Sequence, residues 1–201
     1  MVTAFGRKSS TRPRLARGDG SVTLTQSQTL RERQAPLKER YQREPESARL
    51  TITVRSTTPG DDPTRARITT EAGGGVSWDV GAHPYAGGSG DVPCSGDLLL
   101  ASLAACQEIT LRMVAAAMGI RLEQVEVTVH GEMDFRGTMG IDPEVPVGFQ
   151  RIRTEIRIVA DAPPDRLERL KQRAERYCVV ASTLRQSPIM ELAFVADPGQ
   201  I

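Results

Sequence analysis

Apolar and polar residues alternate from Leu50 to Arg55, with Leu50, Ile52 and Val54 on one side and Thr51, Thr53 and Arg55 on the other. That period of two predicts a half-buried strand. "TTPGDDPT" follows as a turn on its Pro, Gly and Asp content. "RARITTEAG" then returns as a second strand, giving a hairpin over 49–71, and "GGGVSWDV" reads as a further turn and short strand. The period changes at the Ala- and Leu-rich run that follows, which predicts a long helix over 96–118. Gly119 is placed to end it and Ser95 or Asp97 to cap its start. Val125, Val127 and Val129 alternate with Glu126, Thr128 and His130 as another strand. Ile152, Ile156 and Ile158, opposite Arg153, Glu155 and Arg157, mark a further one. Between them "DFRGTMGIDPEVPVGF" is a Gly/Pro-punctuated connection.

A second helix is predicted over 163–184. It opens on prolines and carries an apolar stripe of Leu167, Leu170, Ala174, Tyr177, Cys178, Ala181 and Leu184. "PIMELAFVAD" reads as a closing strand. Ahead of the hairpin lies a polar helical stretch over 26–46, broken at Pro36 and Pro45. Strands interrupted by two helices, without strict βαβ alternation, predict an α+β fold with mainly antiparallel sheet. One domain over 26–201 accommodates all of it.

Composition changes this picture little. The 201 residues are 39% hydrophobic and 25% charged, with a formal net charge of +1, which is ordinary for a globular chain. No argument for a nucleic-acid or membrane partner follows from that balance. The charge is unevenly placed, however, with 11 Lys/Arg against 5 Asp/Glu in the first fifty residues. Residues 1–25 are basic, rich in Ser and Thr and poor in large apolar side chains, so a disordered tail is expected there. No apolar core of a secretory signal appears near Met1. Leu98–Met118 approaches the length of a membrane span. Glu108 and Arg112 lie within it, four residues apart, and favour a buried core helix instead.

The candidate chemistry rests on three cysteines, Cys94, Cys106 and Cys178, and two histidines, His83 and His130. Their spacing matches no zinc pattern, and neither a metal nor an organic cofactor is expected. Reduced thiols in a cytoplasmic protein are the default. "AGGSG" lacks the spacing of a dinucleotide loop. His83 and His130 read as surface residues and Trp78 as core filler. Cys106 and Cys178 fall on the apolar stripes of the two helices, where a cysteine is either an inert core residue or a reactive thiol. If those two faces meet, a disulfide becomes feasible at a Cα separation of roughly 4.4–6.8 Å.

"LLLASLAACQEITLRMVAAAMGI", "DFRGTMGIDPEVPVGFQRIR" and "AERYCVVASTL", in that order, resemble the OsmC/Ohr family of peroxide-reducing proteins. The resemblance runs from about Leu37 to the C-terminus. It implies an intertwined homodimer, with curved antiparallel sheets wrapped around two long central helices and active sites at the subunit interface. It makes Cys106 the peroxidatic cysteine and Cys178 the resolving one. The family's activating arginine matches Arg65 in the hairpin, with Arg67 second. Gly96 stands where the Ohr branch has a glutamate. The adjoining Asp97 matches a carboxylate of the OsmC branch, or is a helix cap. Cys94 matches no family cysteine; it is an idle loop thiol or a substitute resolving thiol. The implied activity is reduction of organic, lipid-type hydroperoxides with an external, lipoyl-type dithiol as reductant. The alternative is a non-catalytic, small-molecule-binding member of the same fold.

Overall fold

The computed structural model describes residues 21–195. The expected basic tail lies outside the described residues up to residue 20, and residues 21–25 open helix α1, Ser21–Arg43. That helix runs through Pro36, where a break was expected. Pro36 removes one N–H from the ladder, but it is exposed, so water can take the carbonyl left free. α1 ends before Pro45, where a short 3₁₀ turn, Pro45–Ala48, leads out.

Strands β1 (Val54–Thr57), β2 (Arg65–Thr70) and β3 (Ser77–Gly81) form an antiparallel sheet in that order. The expected hairpin is there, with Val54 opposite Thr70 and Thr57 opposite Arg67. Its first strand begins only at Val54. Leu50 and Ile52 remain 81% and 77% exposed, because no described strand pairs with residues 49–53. Helix α2 (Ser95–Met118) follows, then β4 (Leu122–Met133), the one-turn α3 (Phe135–Thr138) and β5 (Phe149–Ala160). β4 and β5 form a second antiparallel sheet, with Val125 opposite Ile158 and Val127 opposite Ile156. The alternation read from the sequence therefore becomes one shared apolar face.

The expected helix over 163–184 is two helices, α4 (Pro164–Tyr177) and α5 (Val179–Arg185). They meet at Cys178, whose ψ of 108° is extended rather than helical. Of the expected closing strand over 188–197, residues 196–197 lie outside the described residues, and 188–195 are unpaired in this chain, with Ile189 and Phe194 each 93% exposed. Its alternation supplies a face to bury, and no described strand lies beside it.

α2 packs on β4, α4 and α5. One core cluster joins Leu111, Ala115, Ile120, Leu170 and Ala174; a second joins Leu103, Cys178 and Ala181, with Cys106, Val129, Ile152 and Val180 against it. α2 is long and apolar enough to cross a membrane by composition. It is nonetheless a packing helix, and Glu108 binds Arg112 on it at 3.5 Å as expected. At 3.6 residues per turn, Leu99, Cys106, Ile109 and Met113 share an arc of about 80°. Leu99, Ile109 and Met113 stay exposed on it, and half-buried Cys106 sits between this open face and the core.

Candidate active site at the helix break

α2 begins with a capping box built on sulfur. Cys94, the N-cap, accepts the Asp97 backbone N–H on Sγ at 3.4 Å, while the Asp97 carboxylate accepts the Cys94 backbone N–H at 2.9 Å. Neither Ser95 nor Asp97 is the N-cap residue: the first helical turn lies one residue earlier than expected, which makes Asp97 the third residue of the helix. Bonds from the Cys94 backbone and side chain hold the Asp97 carboxyl below its usual range. Cys106 lies nine residues further along, roughly 13 Å up the axis at 1.5 Å per residue. Asp97 and Cys106 are therefore not brought together in this chain. Cys94 and Cys106 are about 18 Å apart by the same rise, too far for a disulfide within one chain.

Cys106 and Cys178 do meet. Their Sγ atoms are 3.4 Å apart, with Cys178 donating, and both are free thiols. Cys178 is 1% exposed. The break at Cys178 explains the local chemistry. The first amides of α5 have no carbonyl one turn back, and they face sulfur instead. Burial pushes the Cys106 thiol up, yet donors outweigh it and hold it below the ordinary thiol value: the Val180 N–H, the Cys178 thiol, the Thr110 hydroxyl and the Val179 N–H. Thr110 Oγ1 is 4.0 Å from Cys106 Sγ. Cys178 goes the other way. Burial raises it above the ordinary value, and neighbouring Cys106 adds to the rise, against the opposing Ala181 and Val180 N–H groups. Cys106 is thus the more acidic thiol of the pair and Cys178 the one that donates to it.

Arg65 is placed elsewhere. It donates to Ser89 Oγ at 2.8 Å and to the Asp91 carboxylate, and lies 3.8 Å from Asp62. With Arg65 first and Ser89 second as causes, Asp91 is lowered to about 2. These bonds fasten the 82–93 loop, whose neck is closed by the Gly81 N–H to the Pro93 carbonyl at 3.1 Å and by the Ala82 N–H to the Thr64 carbonyl at 2.8 Å. The loop doubles back so tightly that a Cβ at Gly88 would lie 1.7 Å from the Ala82 carbonyl oxygen. Arg67 is bound to Asp79 across the sheet at 2.8 Å. Neither arginine is among the groups acting most strongly on Cys106.

Gly96, which by the resemblance stands where the Ohr branch has a glutamate, faces an occupied space. A Cβ there would lie 3.3 Å from the Phe149 ring and 3.4 Å from Cys94 Sγ. His83 accepts the Tyr85 N–H on Nδ1 at 3.1 Å and stacks on Phe135 at 5.1 Å, tying the 82–93 loop to α3. His130 is exposed on β4 opposite Arg153. A cavity of about 670 Å³ opens between α2, β5 and α4; Gln107, Leu111, Ile156, Ile158 and Leu170 are among its walls. Gln107 Oε1 is buried without a partner. No group of His, Cys, Asp and Glu fit to hold a metal ion occurs among the described residues.

Thr110, Asp91 and the amides of Val179 and Val180 were missed by sequence reasoning. Two β-branched residues directly after Cys178, weak helix formers, are the one local signal of a break.

A dithiol seated between two helices, beside an α+β pair of antiparallel sheets, narrows the class to a cysteine-bearing α+β protein. The family model described as OsmC-like protein matches residues 88–193, and the chain belongs to that family. Among solved structures, the OsmC-like protein of Mycoplasma pneumoniae matches with a TM-score of 0.56 at 16% identity, over 69% of this chain and 89% of that one. An OsmC-like protein of Vibrio cholerae gives 0.54 at 13%, over 67% and 94%. A protein of Legionella pneumophila described as an organic hydroperoxide resistance protein OsmC gives 0.51 at 20%, over 69% and 92%. At these identities the likeness is one of fold. No curated protein matches the chain.

Proposed function

We propose that this chain is a thiol-dependent peroxidase acting on organic, lipid-type hydroperoxides, with Cys106 as the attacking thiol and Cys178 as the resolving one. The observation that carries the reading is the 3.4 Å contact of the two sulfurs with opposite shifts in acidity. The Cys106 thiolate attacks the terminal oxygen of the hydroperoxide. The O–O bond breaks, and the leaving alkoxide takes a proton to become an alcohol while Cys106 becomes a sulfenic acid. The Cys178 sulfur then attacks the Cys106 sulfur. An S–S bond forms, the S–O bond breaks, and the hydroxyl leaves as water with one proton. An external dithiol, lipoyl-type by family resemblance, reduces the disulfide and is itself oxidised to its own disulfide. A reducing, cytoplasmic compartment suits three free thiols.

The active form is an interlocked homodimer. Family membership supports this, as do the open apolar face of α2 beside Cys106 and the uncovered segments 49–53 and 188–195. In that dimer the sulfur pair lies at the interface. Arg65 would act as the activating cation only across it, since its partners within the chain belong to the 82–93 loop. Asp97 serves the start of α2.

Consumption of tert-butyl hydroperoxide with dihydrolipoamide or dithiothreitol tests the proposal. Native protein turns over, while Cys106→Ser consumes nothing. Unchanged turnover in Cys106→Ser would sink it. The cavity with the unpartnered Gln107 Oε1 favours the alternative, a small-molecule-binding protein, which would leave the hydroperoxide intact in the same assay.

A further inference from the structure

We infer that Thr110 is a positioning residue for the reactive thiol, its hydroxyl donating to the Cys106 sulfur from one helical turn away. The inference rests on Cys106 being the reactive thiol, but its test reads the thiolate rather than peroxide turnover.

Residues four apart on a helix lie one above the other on the same face, so Thr110 is placed beside Cys106 by the helix itself. Its Oγ1 is 4.0 Å from Cys106 Sγ, and both residues are half-buried. A threonine inside a helix commonly returns its hydroxyl to the carbonyl four residues back. Here the hydroxyl oxygen lies 4.0 Å from the sulfur of that same residue, so that it can donate to the sulfur instead. The remaining donors to this sulfur are the Val179 and Val180 amides and the Cys178 thiol. The Cys178 proton is lost when the disulfide forms, and the amides are fixed by the main chain. Thr110 is thus the side-chain donor that can turn with the sulfur through the cycle while helping to hold the Cys106 rotamer toward Cys178.

The surroundings offer little else that titrates. Cys178 faces Cys106 from the α4–α5 junction; Val180 from α5, Val129 from β4 and Ile152 from β5 pack against the same cluster. On α2 itself, Glu108 is held by Arg112.

The test is the pH dependence of iodoacetamide alkylation at Cys106, followed peptide by peptide so that Cys94 and Cys178 are counted separately. Thr110→Val keeps the shape and removes the hydroxyl. Its midpoint rises by about one pH unit, the scale of a hydrogen bond to a charged group, and alkylation at pH well below both midpoints slows about tenfold. Thr110→Ser, which keeps the hydroxyl, stays near the native midpoint. Thr110→Ala carries the same comparison if the valine disturbs packing. A native midpoint in Thr110→Val or Thr110→Ala overturns the inference, and so does a Thr110→Ser midpoint as high as that of the valine. Peroxide inertness of the native protein would leave these alkylation results unchanged and count only against the proposed activity.

Discussion

Cys178 donates its thiol to Cys106 across 3.4 Å, and the two sulfurs are shifted in opposite directions, Cys106 down and Cys178 up. In the proposed mechanism Cys106 attacks the peroxide and Cys178 follows. Cys178→Ser therefore consumes about one equivalent of hydroperoxide and stalls, and under excess peroxide its Cys106 advances to the irreversible sulfinic acid. Intact-mass and peptide mass spectrometry read this directly. In the native protein the same treatment yields a Cys106–Cys178 bond; a Cys94–Cys106 bond would contradict the assignment.

The acidity of Cys106 has a sign that can be checked. Only the thiolate reacts, and its fraction grows as pH rises through the thiol's pKa. Because Cys106 lies below the ordinary value and Cys178 above it, Cys106 alkylation reaches its plateau at the lower pH. Near neutral pH, Cys106 is labelled well before Cys178. Peptide-resolved iodoacetamide kinetics between pH 5 and pH 10 measure both profiles.

Cys94 is a cap. Serine is among the preferred N-cap residues and alanine is not, so Cys94→Ser keeps the box with Asp97 and holds or raises stability. Cys94→Ala loses about 1 kcal/mol. Both variants keep native hydroperoxide turnover. Urea unfolding and the peroxide assay together separate a capping role from a redox one.

Arg65 fastens the 82–93 loop through Ser89 and Asp91. Arg65→Ala therefore speeds amide exchange at Gly81 and Ala82, whose N–H groups close the loop's neck, and leaves exchange in the middle of α2 unchanged. The bond to Arg65 holds Asp91 at about 2, below its ordinary value. Its contribution is present above the usual carboxylate range and is lost as pH falls through about 2. In the native protein the protection of the same two amides, relative to their intrinsic exchange rates, falls only there, as hydrogen exchange by mass spectrometry would show.

Gly131 admits no side chain. A Cβ there would stand 2.5 Å from Phe149 and 2.9 Å from Leu100, and Phe149 also rests against Gly96. Gly131→Ala lowers stability by about 1–3 kcal/mol, the usual cost of overpacking. Chemical denaturation at constant m-value measures it.

Much of this was legible in the chain. Val125, Val127, Ile156 and Ile158 announced their strands because both partners of each pair lie in the same sheet. The start of α2 was legible to within one residue, since the loop's glycines and Asp97 mark a helix entry. Other features were not. The stripe from Leu167 to Leu184 keeps helical period across Cys178, so a single extended residue leaves no trace in it. Leu50, Ile52 and residues 188–195 alternate as strands do, but alternation specifies a face and says nothing of which chain supplies the neighbour. The Cys106–Cys178 contact, between residues 72 apart, was implied by the family resemblance and not by spacing, and the Arg65–Asp91 pair, 26 apart, had no signal in the sequence. The fold alone brings either pair together.

The interruption at Cys178 has a consequence for inheritance. Two of the donors that keep Cys106 acidic, the amides of Val179 and Val180, are main-chain atoms present whatever side chains stand there. Ordinary substitution cannot delete them, except to proline, which lacks the N–H. Charged residues elsewhere around the sulfur can therefore change without removing these two donors, so long as the helix stays broken at Cys178.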